Sequence, residues 1–393
     1  MKRIPRVILL IPTRRSYERG ILRGIAQYAK LKGPWTIYHP RDFYSEQKRH
    51  EDLFHQMASF DADGIIMWEQ FRQKDNEALL AMKLPTLVCP YSDNPRLTHL
   101  PLLLPDDKQV GQTGAQYLIN RGYGVFGFCG YSTMPWSKRR SDAFSQKVSD
   151  VGCQTHVYRP VPDTADQPSE HDTSLLVDWL HGLPKPIGIM ACNDDLARQL
   201  CEACKVAGYS IPDEIGIMGV DNDEIGCSLN TPALTSIALN TETCGYRAAE
   251  LLDEWIRTRQ KPPQGITVLP IRVVERQSTD VLHIQDADVA QAIRFIRDHS
   301  ARPIQVADVV GAVGMSLRTL QQRFQKVLGR TIHDEISRAR MERVAQMLVQ
   351  TNLPIKQIAS ELGYASPKHI ARAFRKEKGM TLFEFREKYG QGQ

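Results

Sequence analysis

The last hundred residues contain one helical unit twice, and that duplication limits what the chain can fold into more than any other feature. Ser316, Leu320, Phe324, Lys326, Gly329 and Thr331 recur as Ser366, Ile370, Phe374, Lys376, Gly379 and Thr381, every matched position offset by 50. An apolar-periodic helix and a short Gly-containing turn precede each copy, through Gly314 in the first and Gly363 in the second. A helix, a turn and a second helix opened by Ser make a helix-turn-helix. Two in tandem, over about 304–328 and 355–377, imply a DNA reader that works without a second chain.

The second helix of each unit is the candidate reader. Over 317–328, Leu320, Phe324, Val327 and Leu328 form the apolar stripe, and Arg318, Gln321, Gln322 and Gln325 fall opposite. Over 367–377, Ile370 and Phe374 face inward, leaving Lys368, Arg372 and Arg375 outward with Ala371 beside them. Arg and Lys suit guanine O6 and N7, Gln suits adenine, and Ala can touch a thymine methyl. Arg375, Lys376 and Lys378 are placed better for phosphates. Charge follows the same division. Residues 281–393 hold 18 Lys+Arg against 11 Asp+Glu, while the rest holds 32 against 34. A solvated basic surface would look similar, so the duplication carries the reading and the charge only agrees with it.

This region resembles the DNA-binding domain of AraC-family transcription regulators over about 287–388. The residues that carry the likeness are Ile358-Ala359, Gly363-Tyr364, Ser366, Phe374-Arg375-Lys376 and Gly379-Met380-Thr381. The resemblance implies a long helix joining the two units, about 331–349, with Ile336, Met341, Val344 and Leu348 inward. It also implies that both readers enter successive major grooves, with Arg318, Gln321, Gln322, Lys368, Ala371 and Arg372 as base-contact candidates. Leu382 stands where the family usually has Pro, and Ile370 where an aromatic is usual.

Before residue 279 the pattern differs. Short apolar runs at 7–11, 64–68, 86–90, 125–129, 188–192 and 216–220 alternate with amphipathic segments at 19–30, 109–121, 138–151, 195–207 and 243–257. Continuous apolar strands between helices mean parallel sheets covered on both faces. The length predicts two lobes. The expected fold is therefore α/β, two periplasmic-binding-protein-like lobes over 1–279, a linker at 280–286 and an all-α tandem helix-turn-helix domain over 287–393. The stretch 161–172, rich in Pro and Asp, reads as a surface loop.

Open α/β sheets bind ligands beyond the carboxyl ends of their strands. Tyr17 and Glu18 follow the first strand, Asn193-Asp194-Asp195 follow 188–192, and Asp221-Asn222-Asp223 follow 216–220. With Trp136 and Arg140 these groups suit a polyol: carboxylates accept from hydroxyls, Arg donates, and an aromatic covers the apolar ring face. Asp and Asn at helix starts are also ordinary N-caps, the reading preferred for Asp107 and Asp195. There is no G-x-G-x-x-G after the first strand, no P-loop and no G-x-S-x-G, and the histidines, among them His39, His50, His55 and His99, lack ligand spacing. No enzymatic activity, cofactor or metal is expected. The eight cysteines all precede residue 245 without disulfide-framework spacing, which fits reduced thiols in a cytoplasmic, nucleoid-associated protein. No apolar run reaches the ~18–20 residues of a membrane span.

The first domain resembles the effector domain of LacI-type repressors and, through it, periplasmic sugar-binding proteins. The likeness lies in Leu118, Arg121-Gly122-Tyr123, Arg140, Ala143-Phe144, Asn193-Asp194, Gly219-Val220-Asp221-Asn222, Leu234-Thr235-Ser236 and Ser278-Thr279. It implies that Arg140, Asn193 and Asp221 hold a small-sugar effector, with Tyr17, Trp136 and Asp194 around it. The amino-terminal helices usual in that family are absent. A LacI-like sensor followed by an AraC-like reader is an uncommon order; through Ser16-Tyr17-Glu18-Arg19, Asp221-Asn222-Asp223-Glu224, Glu275-Arg276-Gln277-Ser278-Thr279-Asp280 and the stretch 304–316, nearly the whole chain resembles the xylose-operon activators that have it. That likeness implies a sugar-responsive regulator of carbohydrate genes acting on double-stranded promoter DNA with RNA polymerase as partner. A homodimer is expected, paired through amino-terminal-lobe helices such as 109–121. Repression by the same architecture, or a sugar-processing enzyme fused to a DNA reader, are the alternatives.

Overall fold

The computed structural model describes residues 3–40, 57, 59–158, 173–281, 286–364 and 366–389. The expected loop at 161–172, His50 and His55 lie outside them.

Two sheets form side by side. The first has the order β2-β1-β3-β4, all parallel, from β1 (Arg6–Leu10), β2 (Thr36–Tyr38), β3 (Gly64–Trp68) and β4 (Thr86–Cys89). The second has six strands. In it β6 (Phe126–Cys129), β8 (Ile187–Ala191), β9 (Ile215–Val220) and β10 (Thr235–Leu239) run parallel, β7 (Thr155–Val157) closes one edge, and β12 (Pro270–Val274) lies antiparallel on β10. Between the sheets β5 (Leu103–Pro105) pairs with β11 (Ile266–Val268). Strands β8 and β9 are buried at every residue, as their uninterrupted apolar sequences require.

Chain order does not follow the lobes. Helix α1 (Ser16–Lys32) packs along α8 (Thr241–Thr258), a helix that follows the second sheet's β10. Glycines permit the approach: a Cβ at Gly24 would lie 1.9 Å from the Glu242 carbonyl oxygen, and one at Gly245 2.1 Å from that of Ile21. One lobe is thus built from the described residues of 3–105 and 241–268, the other from those of 107–239 and 270–279. The chain crosses between them three times, after β5, β10 and β11. The crossings are tied together, with the Asp106 amide donating to Val268 O at 2.8 Å and the Asn240 amide to Leu269 O at 3.0 Å. Helix α3 (Asp107–Asn120) belongs to the second lobe, where it packs on α4 (Pro135–Ser149); it is not an amino-terminal-lobe helix as its sequence position suggests.

The remaining chain is helical: α9 (Ala287–Asp298), α10 (Val306–Val313), α11 (Leu317–Leu328), α12 (Ile332–Gln350), α13 (Ile355–Glu361), α14 (Pro367–Lys378) and α15 (Leu382–Tyr389). Two small cores form, one around Ile293, Leu320 and Phe324, the other around Leu348, Ile370 and Phe374. The long α12 supplies both, with Ile332 and Ile336 in the first and Met341, Val344 and Leu348 in the second. Gly314, Gly329, Gly363 and Gly379 all have φ between 65° and 76°, so the repeated glycines end helices in the left-handed conformation that costs other residues energy. Phe324 and Phe374 are fully buried, and loss of either ring would cost about 3–5 kcal/mol. The second core also buries Leu269 and packs on Ile271, so this unit is docked on the sensor's third crossing. No helix among the described residues is long and apolar enough to cross a membrane.

Candidate functional site

The carboxyl ends of β1, β3 and β4 face those of β8 and β9 across a cleft of about 230 Å³. Six of the sequence-predicted residues line it: Tyr17, Glu18, Trp136, Arg140, Asn193 and Asp221.

Asp221 projects from the turn after β9. Its φ of 98° and the 47° of Asn222 put two consecutive non-glycine residues outside ordinary backbone regions, at a cost of roughly 1–2 kcal/mol each. The surroundings enforce the turn. The Asp221 amide donates to Ile237 O at 2.9 Å, the Asn222 amide to Ser236 Oγ at 3.0 Å and the Asp223 amide to Asp194 Oδ2 at 2.7 Å. No hydrogen bond among the described residues engages the Asp221 carboxylate. Burial raises its pKa to about 6 against the opposing pull of Arg140 and Arg15.

Asp194 does not line the cleft. It lies behind the turn, accepting from the Asp223 amide, from Ser236 Oγ at 2.5 Å and from Cys227 Sγ at 3.5 Å. Burial first, and then the Asp221 charge, push its pKa well up. Its role in this geometry is to hold the turn that aims Asp221.

Arg140 is fixed from behind. Nε donates to Asp107 Oδ1 at 2.9 Å and Nη1 to Cys192 O at 2.6 Å, while the guanidinium stands 4.9 Å from the centre of the Trp136 ring. Its ion pair is therefore with Asp107, leaving Asp221 to whatever enters. Asp107 is not the cap of α3: Asp106 caps it, accepting from the Gln109 amide, and Asp107 is spent on Arg139 and Arg140. Asn193, not Asp195, caps α6 (Asp194–Ala207), accepting from the Leu196 amide at 3.0 Å. Its side chain also meets the Tyr131 hydroxyl.

Three ion pairs join the lobes around the cleft: Arg15–Asp195 at 2.8 Å, Arg19–Asp223 at 2.7 Å and Arg139–Asp93 at 2.8 Å. Each is partly exposed and worth about 0–1 kcal/mol, so together they favour a clasped arrangement that weak forces can still open. Sequence reasoning missed Trp68, Phe71, Tyr91 and Tyr131, which also line the cleft. Trp68 and Tyr91 end apolar strand runs and were findable by the rule that located Asp221; Phe71 and Tyr131 sit in loops without a pattern.

On the reading helices, Arg318, Gln321, Gln322, Lys368, Arg372 and Arg375 are exposed. None of their side chains makes a hydrogen bond or ion pair among the described residues, so all six are available to another molecule. Ala371 is half-buried against the second core, and Lys378 is tied to Glu342 at 2.6 Å. In the first unit, where Leu328 stands at the position of Lys378, Arg323 is tied to Asp286 and Asp288.

Comparison with known proteins agrees with both halves. A periplasmic binding protein-like domain matches residues 115–279, and a helix-turn-helix domain matches 309–388. The xylose operon regulatory protein of Escherichia coli (strain K12) is 30% identical over 389 residues, 97% of each chain. That of Haemophilus influenzae is 30% identical over 387 residues, 97% of this chain and 98% of its own. A solved structure of the xylose-binding transcription activator xylR aligns with a TM-score of 0.60 at 28% identity, over 99% of both chains.

Proposed function

Since the chain belongs to the family of xylose operon regulatory proteins and is a DNA-binding transcription regulator, we propose that a neutral sugar held between its lobes is the effector that controls it. The observation that carries this reading is Asp221. A carboxylate is held in strained backbone, faces a cleft, and has its natural counter-ion committed to Asp107. Sugar hydroxyls supply the donors it lacks. Arg140 donates to a ring or hydroxyl oxygen, Asn193 and Tyr17 complete the polar contacts, and Trp136 covers the apolar ring face. Xylose, the ligand named for the solved relative, or a sugar close to it, is the first candidate.

Sugar bridging the lobes favours their clasped arrangement, and it does so only to the extent that it binds that arrangement more tightly. The protein then acts as a cytoplasmic homodimer that activates carbohydrate genes. Arg318, Gln321, Gln322, Lys368, Ala371 and Arg372 read bases, Arg375 holds phosphate, and RNA polymerase is contacted from the bound site. The working domain limits are 1–279 for the sensor, 280–286 for the linker and 287–393 for the reader, and no catalysis is assigned.

The test is thermal unfolding with a panel of pentoses, hexoses, sugar acids and sugar phosphates, on the native protein and on Asp221→Ala. A sugar at a hundred times its Kd adds about 2.7 kcal/mol to stability, a shift the melt resolves. One neutral sugar should raise the midpoint, and the variant should lose the effect. Stabilisation by a sugar phosphate alone, or an unchanged response in Asp221→Ala, would overturn the assignment.

A further inference from the structure

The cleft is more aromatic than one sugar ring uses. Three polar groups mark the inner end: Arg140 and Asn193 are buried, and Asp221 stands beside them. The outer end is different. There Phe71 and Tyr91 form a tilted pair with ring centroids 5.1 Å apart, with Leu104 and Met134 nearby. Phe71 is 86% exposed, the most exposed large apolar side chain among the described residues. Nothing in the packing of its own lobe requires a phenyl ring there, and exposed apolar surface beside a cleft marks a binding surface.

Size leaves the outer end open. One water takes about 30 Å³ of liquid volume, so the 230 Å³ present equals about eight waters, room for one enclosed ring with anything further lying out on the exposed aromatic pair. Charge narrows what fills the rest. Among the lining residues Arg139, the cation at this end, is committed to Asp93 and Asp107, so no lining cation here is left to pair with a phosphate or carboxylate.

Resting on the reading of this cleft as the effector site, we infer that it has a second, outer subsite on Phe71 and Tyr91, and that it takes a neutral glycoside of its sugar, a disaccharide or a sugar bearing an apolar aglycone, in preference to the free monosaccharide. The first ring takes the polar inner end. The second ring, or the aglycone, lies across the aromatic pair, with its apolar face on the rings.

The test is calorimetric titration of the full-length protein with D-xylose, D-glucose, their β-1,4-linked disaccharides and their p-nitrophenyl β-glycosides, repeated on Phe71→Ala. Phe71 is exposed, so the variant should melt with the native protein, which circular dichroism checks. For the sugar that binds, the extended ligand should bind at least tenfold more tightly than the monosaccharide. Phe71→Ala should shrink that preference to threefold or less and leave the monosaccharide affinity unchanged. Equal affinities in the native protein, or a preference that survives Phe71→Ala, overturn the outer subsite while the sugar-sensor reading stands. If none of the sugars binds, the sensor reading falls and the subsite falls with it.

Discussion

Asn240 and Leu269 clasp each other across two of the three lobe crossings, Asn240 Oδ1 accepting the Leu269 amide at 2.7 Å and the Asn240 amide donating to the Leu269 carbonyl at 3.0 Å. The Leu269 side chain is at the same time buried in the core of the second helix-turn-helix unit. A lobe rotation that moves this crossing therefore moves a residue on which the DNA reader rests.

Leu269→Ala should separate sensing from reading. Truncating a buried leucine costs about 2–5 kcal/mol, here taken largely from the dock between sensor and reader. DNA affinity, followed by fluorescence anisotropy with and without the effector, should become nearly independent of effector. Sugar affinity should stay within threefold of native. Undiminished coupling would show that another path joins the domains.

Effector affinity should rise with pH. Asp221 has a pKa of about 6 in the folded protein, raised by burial above the ordinary 3.8. The folded state thus prefers the protonated group, so its contribution to stability is present below the unfolded value and is lost as pH climbs through about 6. A hydroxyl donor prefers the ionised form, so binding moves in the opposite sense. Titration from pH 5 to 7.5 should give affinity that increases through about 6 and then levels. In Asp221→Asn the profile should be flat and weaker throughout.

Asp194→Ala should damage the turn and not the ligand contact itself. Removing this carboxylate orphans the Ser236 hydroxyl and the Asp223 amide, at about 1–3 kcal/mol for each buried group left unsatisfied. Denaturant unfolding should show that loss, with sugar affinity falling as a consequence. Asp194→Asn keeps an acceptor for the amide and can donate to Ser236, so it should retain most of the stability. A sugar affinity abolished in Asp194→Asn with native stability would instead make Asp194 a direct ligand.

How legible these roles were depended on how local their causes are. The two reading helices announce themselves because Ser caps, apolar stripes and Gly ends act within one or two turns, and Phe324 and Phe374 are buried where the period puts them. The lobes are harder, since α8 returns to the first lobe after β10, and only packing through Gly24 and Gly245 explains why. The short strands Thr36–Tyr38, Thr155–Val157 and Ile266–Val268 are partnered at sheet edges or between the lobes and carry too few residues for a pattern. Asp194 and Asp221 are alike in sequence context, both just past an apolar strand; only the direction of each side chain separates the strut from the group that faces the cleft.

The two reading units should be separable on DNA. Arg318 and Arg372 are exposed on different recognition helices, and such helices meet grooves about one helical turn, ~34 Å, apart. Arg318→Ala and Arg372→Ala should each cost about 1–3 kcal/mol and relax base preference, but at positions about 10 base pairs from each other. Lys376→Ala should weaken all sequences alike and reduce the slope of log affinity against log salt by about 0.9, the value for one phosphate. Selection of binding sites by each variant, with anisotropy at several salt concentrations, checks both. If Arg318→Ala and Arg372→Ala relaxed the same base positions, the helices would not be reading successive grooves, and a second chain would be needed to complete the site.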